Sequence, residues 1–118
     1  CRPDGFIVAS SNARVVGYAI VARQRRMNYA KFSIEKVAFL RAIAVQPGFR
    51  GCGVGSMLIR EVVDRIAGWG CSELWLEVPA RNLAAIGFYK SQGFSQVTRK
   101  RGFYWGEDAI VMRLKIGK

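Results

Sequence analysis

The sequence predicts one mixed α/β domain, and three observations support that fold class. First, the chain has 118 residues, which is enough for one compact core and too few for two ordinary domains. Second, six runs of strand-like composition are interrupted by two stretches of helical periodicity, which favours a mixed sheet with flanking helices. Third, a glycine-rich turn joins the longest apolar run directly to the first of these helices. We therefore expect a single domain over residues 1–118.

The first part of the chain predicts an antiparallel hairpin followed by a buried strand. Residues 6–9 and 15–21 are rich in β-formers and lie on either side of a polar Ser/Asn turn. Residues 23–36 are polar and basic with scattered aromatic side chains, and we expect them to form a loop between strands. The apolar run at residues 37–45 then predicts a central strand that ends before Pro47.

The second part of the chain predicts two helices and three strands. Residues 56–69 and 82–92 have helical periodicity, and a strand at residues 74–78 separates them. Residues 94–99 and 109–115 predict two final strands joined by the loop between them. The apolar stripe of the first helix consists of Leu58, Val62, Ile66 and Trp69.

The charge of the chain favours polyanionic partners. Nineteen Lys and Arg residues stand against eight Asp and Glu residues, which gives a net charge of +11. Such a balance is typical of proteins that bind nucleic acid or work near a ribosome, and it also attracts a multiply phosphorylated cofactor. A basic surface that only keeps the protein in solution is the alternative explanation.

The remaining composition indicates a soluble, cytoplasmic protein without a metal site. No apolar run approaches the roughly 20 residues that a membrane helix needs, and the given sequence begins with no secretory signal, so we expect no membrane partner. The three cysteines Cys1, Cys52 and Cys71 lack metal-ligand spacing, and no histidine accompanies them, which favours a reduced compartment. Because the sequence begins with a cysteine rather than Met, we also consider a chain truncated at its N-terminus.

The glycine-rich turn Arg50-Gly-Cys-Gly-Val-Gly55 predicts an anion site. Backbone N–H groups and the positive end of the helix dipole converge where such a turn opens into a helix. A dinucleotide fingerprint requires a third glycine where this chain has Ser56, and a Walker A loop requires a lysine that is missing. We therefore expect the pyrophosphate of another nucleotide-type cofactor, with a plain structural turn as the alternative.

The pattern Arg-x-x-Gly-x-Gly between a strand and a helix resembles the acyl-coenzyme-A loop of the GCN5-related N-acetyltransferase (GNAT) superfamily. Further matches follow in the same order as in its RimI/Ard1-like branch, which acetylates protein N-termini. They are Leu74-Trp-Leu-Glu-Val78, Asn82-Leu-Ala-Ala-Ile86, Phe88-Tyr89, Gly93-Phe94, Gly102-Phe-Tyr104 and Glu107-Asp-Ala-Ile-Val-Met112. The resemblance is close over about residues 37–114 and loose in the hairpin before them.

The resemblance implies a GNAT fold with a mostly antiparallel central sheet. Two departures qualify it. Pro79 and Arg81 stand where the branch more usually has Glu-Val-Arg and a small residue, and Pro79 is expected to reshape the bulge beside Glu77. The usual first strand and first two helices, which help to form the acceptor groove of the family, are not evident before the hairpin.

The resemblance also implies acetyl coenzyme A as the acetyl donor and assigns its contacts. Backbone groups of Ile43, Ala44 and Val45 would pair with the pantetheine arm, and an N–H near the last two would stabilise the oxyanion. Amides of the turn would hold the pyrophosphate, because glycines let backbone donors approach closely. The implied cofactor-binding residues are Ile43, Ala44, Val45, Arg50, Gly51, Cys52, Gly53, Val54, Gly55, Ser56 and Asn82.

Two side chains are candidates for proton transfer. Glu77 is the candidate general base, since an acceptor amine must lose a proton before it attacks a thioester. Tyr89 is the candidate general acid for the departing thiolate, and its helical spacing places it on the same face as Asn82. A solvated carboxylate and a core tyrosine are the structural alternatives. Because no histidine can activate the cysteines, direct transfer in a ternary complex is preferred to an acyl-enzyme.

The acceptor is predicted less sharply than the donor. The resemblance favours a protein N-terminal α-amine, such as that of a ribosomal protein. An α-amine with a pKa of about 8 also loses its proton more easily than lysine at about 10.4. A lysine, a polyamine or a drug amine is the second candidate. A non-enzymatic basic nucleic-acid-binding module is a rival class, and a third is a chain that binds cofactor without turnover or completes its sheet as a homodimer. Four aromatic residues are predicted to pack the core or its rim, and the last three of them are also candidates for lining the acceptor entrance: Trp75, Phe103, Tyr104 and Trp105.

Overall fold

The computed structural model describes residues 5–11, 13–104 and 106–116, with the side chains of Phe103 and Tyr104 outside the described part. The predictions for Cys1, Trp105 and those two aromatic side chains therefore fall outside it. The elements in chain order are β1 (Gly5–Ser11), β2 (Arg14–Asn28), β3 (Ser33–Val45), a 3-10 turn (Pro47–Phe49), α1 (Val54–Gly68), β4 (Glu73–Pro79), α2 (Leu83–Ser91), β5 (Ser95–Tyr104) and β6 (Glu107–Lys115).

The described strands form one six-stranded sheet in the order β1-β2-β3-β4-β6-β5. Every described pairing is antiparallel except that of β3 with β4. The predicted mixed, mostly antiparallel sheet with its two helices is confirmed. Within the described residues no helix is long and apolar enough to cross a membrane.

The main core lies between α1 and the sheet. Leu58, Val62 and Ile66 on the apolar stripe of α1 are fully buried, as their spacing predicted, and Trp69 is partly buried at the end of the helix. The alternating apolar residues of β4 pack into the same cluster. Period-two alternation in the strands and a period of 3.6 in the helix thus bring their apolar faces together.

The prediction of a loop at residues 23–36 is wrong. β2 continues to Asn28 and β3 begins at Ser33, so these residues form a two-stranded ribbon with a turn at its tip. On one face of this ribbon Arg26 contacts Glu35 at 3.5 Å and Glu73 at 3.0 Å, and its guanidinium lies 5.0 Å from the centroid of the Trp75 ring. Such cross-strand pairs stabilise a ribbon whose side chains are polar on both faces, and its sequence therefore looked like a loop.

The loop predicted between the last two strands is also shorter than expected. β5 continues to Tyr104 and β6 begins at Glu107, although their register shifts between Lys100 and Tyr104. Asp108 accepts hydrogen bonds from the Gly102 amide at 2.9 Å and from Arg99 Nε at 2.6 Å. These two contacts tie β5 to the start of β6.

β3 and β4 separate after a short parallel pairing. Residues 37–39 pair with residues 73–75, and the pairing goes no further. On its other edge, β3 has one extra residue, Arg41, opposite the step from Ile20 to Val21 in β2. A bulge of this kind bends a strand and increases its twist. The end of β3 therefore turns away from β4, which stays paired with β6 as far as Pro79.

Candidate active site

A cavity of about 950 Å³ opens where β3 and β4 separate. Its walls come from the end of β3, the glycine-rich turn, the end of β4 and α2. It brings together eleven of the thirteen predicted site residues, which are Ile43, Ala44, Val45, Arg50, Gly51, Gly53, Gly55, Ser56, Glu77, Asn82 and Tyr89. Residues far apart in the sequence thus meet at one place.

The start of α1 has the geometry of an anion site. Gly51 and Gly53 adopt φ angles of 80° and 84°, in the left-handed region that favours glycine. The first helical hydrogen bond runs from the Met57 amide to the Gly53 carbonyl at 3.0 Å, and no side chain caps the helix. The N–H groups of its first turn, at Val54 and the two residues after it, therefore have no partner within the helix and coincide with its positive end.

Two predicted cofactor contacts, Cys52 and Val54, do not line the cavity. The Val54 side chain is buried in the core, and the exposed Cys52 thiol lies 3.9 Å from the Arg50 carbonyl oxygen. The buried Val54 side chain therefore leaves only its backbone available to a ligand at the turn, whereas the exposed Cys52 thiol lies outside the cavity lining.

Arg50 holds the turn against the end of β3. Its Nε donates a hydrogen bond to the Val45 carbonyl at 3.2 Å. The guanidinium is exposed and lines the cavity beside the glycine-rich turn. Arg50 therefore supplies positive charge at the anion site, but it also uses a Val45 carbonyl that was predicted to pair with the cofactor.

The end of β3 offers an open backbone edge to the cavity. Residues 42–45 pair with β2 on one side. On the other side β4 has already separated, because their pairing stops at Phe39. Alternate N–H and C=O groups beyond Phe39 therefore lack a strand partner on the side of the cavity.

Tyr89 lies in α2 with its ring among other aromatic rings. The predicted cap of this helix is confirmed, because Asn82 Oδ1 accepts a hydrogen bond from the Ala85 amide at 3.2 Å. Only 9% of Tyr89 is exposed, and its ring centroid lies 5.4 Å from that of Phe88 and 5.6 Å from that of Phe94. Burial raises the pKa of the Tyr89 hydroxyl above its ordinary value of 10.0, so it stays protonated at neutral pH.

Glu77 lines the same cavity from β4, and it forms an ion pair that the sequence did not predict. Lys100 Nζ on β5 lies 2.5 Å from Glu77 Oε2, and 28% of the Glu77 side chain is exposed. The two residues are 23 positions apart, and β6 lies between their strands. No local sequence signal could have paired them, because the contact depends on the register of three strands.

Two further contacts missed by the sequence predictions join α2 to the start of α1. Gln92 Nε2 donates a hydrogen bond to Ser56 Oγ at 2.9 Å. A Cβ placed on Gly55 would lie 3.0 Å from Cζ of Phe88, so the ring lies directly against this glycine. Phe88 and Gln92 are four positions apart, and this spacing, which puts both on one helix face, was the available signal.

Comparison with known proteins agrees with this geometry. The model of the acetyltransferase (GNAT) family matches residues 1–94. The [ribosomal protein bS18]-alanine N-acetyltransferase of Salmonella typhimurium is 43% identical over 95 residues, which cover 74% of this chain and 64% of that protein. The present chain therefore matches somewhat less than two thirds of that relative's length.

Solved structures give the same result. The ribosomal-protein-S18-alanine N-acetyltransferase of Escherichia coli has a TM-score of 0.72 and 34% identity, over 92% of this chain and 66% of that one. Naa20 of Chaetomium thermophilum, solved with a bisubstrate analogue, has a TM-score of 0.81 and 25% identity, over 92% of this chain and 64% of that one.

Proposed function

The chain belongs to the GNAT family of acetyltransferases, and from this membership we propose that it moves the acetyl group of acetyl coenzyme A to an amine. The acceptor that we propose is the N-terminal α-amine of a protein. The observation that carries the proposal is the cavity between the separated ends of β3 and β4, where an uncapped helix N-terminus, Glu77 and Tyr89 meet.

The residues at the turn fit the pyrophosphate of coenzyme A. A Cβ on Gly51 or Gly53 would meet no atom within 4 Å, so the backbone there is open to a ligand. No acidic residue lies in the first turn of α1, and Arg50 adds a positive charge. We propose that the amides of residues 51–56 hold the phosphates and that the open edge of residues 43–45 holds the pantetheine arm. When bound, the thioester supplies an activated acetyl group.

We assign proton transfer to Glu77 and Tyr89. Glu77 would accept the proton of the acceptor amine, directly or through water, with Lys100 on Oε2 leaving Oε1 for that contact. Tyr89 would donate its proton to the departing sulfur, and its raised pKa keeps that proton in place until it is needed. A backbone N–H near Ala44 or Val45 would stabilise the negative charge that develops on the carbonyl oxygen.

The choice of an α-amine rests on the relatives and on elementary acidity. The Salmonella relative is named as a [ribosomal protein bS18]-alanine N-acetyltransferase. An α-amine also loses its proton at lower pH than lysine does. Ribosomal proteins and reduced cysteines are found in the cytoplasm, and we propose that location. Homodimerisation stays a prediction.

The test is acetylation of short peptides that differ only in their free amine. We expect turnover with an N-terminal alanine peptide and none when that amine is blocked and an internal lysine is left free. Glu77→Gln and Tyr89→Phe should each lower kcat by roughly 10²- to 10⁴-fold, whereas Arg60→Gln on the outer face of α1 should not. Wild-type rates in both variants would exclude the assigned roles, and turnover with polyamines alone would exclude the acceptor. Calorimetric titration with acetyl coenzyme A tests the donor site separately.

A further inference from the structure

The ribbon of residues 23–36, which we call the arm, projects from the sheet at the end opposite the cavity. Within the described residues, β1 pairs with β2 no further than Val21, and β4 pairs with β3 only from Val37 onward. Between these limits β2 and β3 pair only with each other. The arm is therefore a two-stranded extension of the sheet on the side away from the cavity.

Two cations at the base of the arm, Arg25 and Lys36, lie side by side. Arg25 lies directly opposite Lys36 across the two strands, and like charges in this position repel each other. Neither side chain makes an ion pair with the described carboxylates. Together with Arg23, whose guanidinium lies 5.1 Å from the Trp69 ring centroid, they line a cavity of about 440 Å³. Among the described residues no carboxylate lines this cavity, so its charge suits a phosphate group.

The tip of the arm presents aromatic rings to solvent. Tyr29 is 78% exposed and Phe32 is 87% exposed. Phe32 also adopts a φ of 51°, in the left-handed region where glycine or asparagine is favoured and a bulky residue is strained. The ring is thus kept at a conformational cost although the fold buries almost none of it, which indicates a use outside the fold. Between base and tip, the opposed pair Met27 and Ile34 is also exposed.

We infer that the arm binds a single-stranded nucleic acid. Single strands are bound by cations that follow the phosphates together with aromatic side chains on which bases stack, and the arm combines both. Tyr29 is four positions after Arg25, which corresponds to about 13 Å along an extended chain and is close to the length of four stacked nucleotides. A duplex keeps its bases paired and could use only the cations. RNA and DNA share this chemistry, so experiment must distinguish them. The inference is independent of the proposed acetyl transfer.

Fluorescence anisotropy with labelled oligonucleotides of about 12 nucleotides tests the inference. We expect the 118-residue chain to bind single-stranded RNA or DNA more tightly than a duplex of the same length. The Arg25→Gln, Lys36→Gln double variant should weaken binding and reduce the slope of log affinity against log salt by about 1.4, at about 0.7 per phosphate contact. Comparing RNA with DNA of the same sequence shows which of the two nucleic acids the arm binds more tightly.

The aromatic variants test the other half of the surface. Tyr29→Ala and Phe32→Gly should each lower affinity roughly 5- to 150-fold and leave the salt slope unchanged. Glycine suits the φ of residue 32, so the second variant should keep its fold. An Arg60→Gln, Lys90→Gln double variant changes the charge equally on α1 and α2 and should bind as the wild type does.

Three outcomes would overturn the inference. They are an absence of binding at about 50 mM salt, an equal loss in the Arg60, Lys90 control, and unchanged affinity in both aromatic variants. An equal loss in the control variant would mean that net charge alone explains binding. Unchanged affinity in both aromatic variants would mean that only attraction to phosphate contributes. Acetyl coenzyme A affinity should stay unchanged in every arm variant, so failure at the arm can be distinguished from failure of the proposed activity.

Discussion

The two ends of β3 are built alike and differ in what surrounds them. Among the residues that the structure describes, each end of the strand pairs only with β2, whereas its middle, at residues 37–39, also pairs with β4. At the C-terminal end the turn, β4 and α2 enclose the open edge in a cavity. At the N-terminal end the arm projects into solvent. An open strand edge thus becomes a candidate ligand site where other elements enclose it. At the arm the described residues form no such enclosure around the edge, and the ligand-binding groups that we propose there are side chains.

In our two proposals, the ends of β3 attract anions by different means. At the cavity the donors are backbone N–H groups whose directions are fixed by glycine conformations. At the arm the attraction comes from Arg and Lys side chains, which salt screens. Substitutions that alter backbone geometry should damage the first end, and substitutions that alter charge or ring area should damage the second.

The largest effect is expected from Gly17→Ala, beside the cavity. A Cβ at this position would lie 2.9 Å from the Ala44 carbonyl oxygen and 3.2 Å from side-chain atoms of Val54 and Leu58. It would push α1 away from the end of β3, and we expect a loss of about 1–3 kcal/mol in the free energy of unfolding. Gly87→Ala, in α2 with no atom within 4 Å, should instead gain about 0.5–1 kcal/mol. Urea denaturation measures both, and equal stabilities would show that the close approach is unimportant.

Gly53→Ala tests whether conformation alone matters at the turn. The position is open, but its φ of 84° should cost an alanine about 1–2 kcal/mol and should weaken acetyl coenzyme A binding. Gly48→Ala is the matched control, since its surroundings are equally open and its φ is not positive. Calorimetry should give wild-type affinity for Gly48→Ala. Equal loss in the two variants would mean that the turn does not depend on left-handed geometry.

Sequence reasoning succeeded where the signal was local. The turn, the Asn82 cap and the stripe of α1 each depend on residues within a few positions of one another, and all were predicted correctly. The arm was missed because both of its faces are polar, so neither period two nor a buried run marked it as strands. The contact of Lys100 with Glu77 and the close approach at Gly17 depend on strand register, which a single sequence does not reveal.

Tyr89, at the cavity end of the molecule, should make the free energy of unfolding depend on pH in alkaline solution. Burial raises the pKa of its hydroxyl above 10.0, so the unfolded chain loses this proton at a lower pH than the folded chain does. The stability associated with the protonated hydroxyl is complete below pH 10 and declines as the pH rises towards the folded pKa. The effect should stay below about 1 kcal/mol at pH 10.5. Urea denaturation should show that the difference in free energy of unfolding between wild type and Tyr89→Phe changes above pH 10. A constant difference would contradict this prediction.

The smallest effect is expected at the arm, in acid. A hydrogen bond from the Asn28 side chain at 2.9 Å, assisted by Arg26, lowers the pKa of Glu35 below 4.5. Because the pKa of Glu35 is lower in the folded chain, its ionised carboxylate stabilises the fold at pH values above 4.5. This stabilisation is lost as the pH falls through the folded pKa. NMR shifts of arm amides should therefore change below pH 4.5, while those of the glycine-rich turn stay constant. Glu35→Gln keeps an acceptor without titrating, so an identical acid transition in that variant would assign the change to another group.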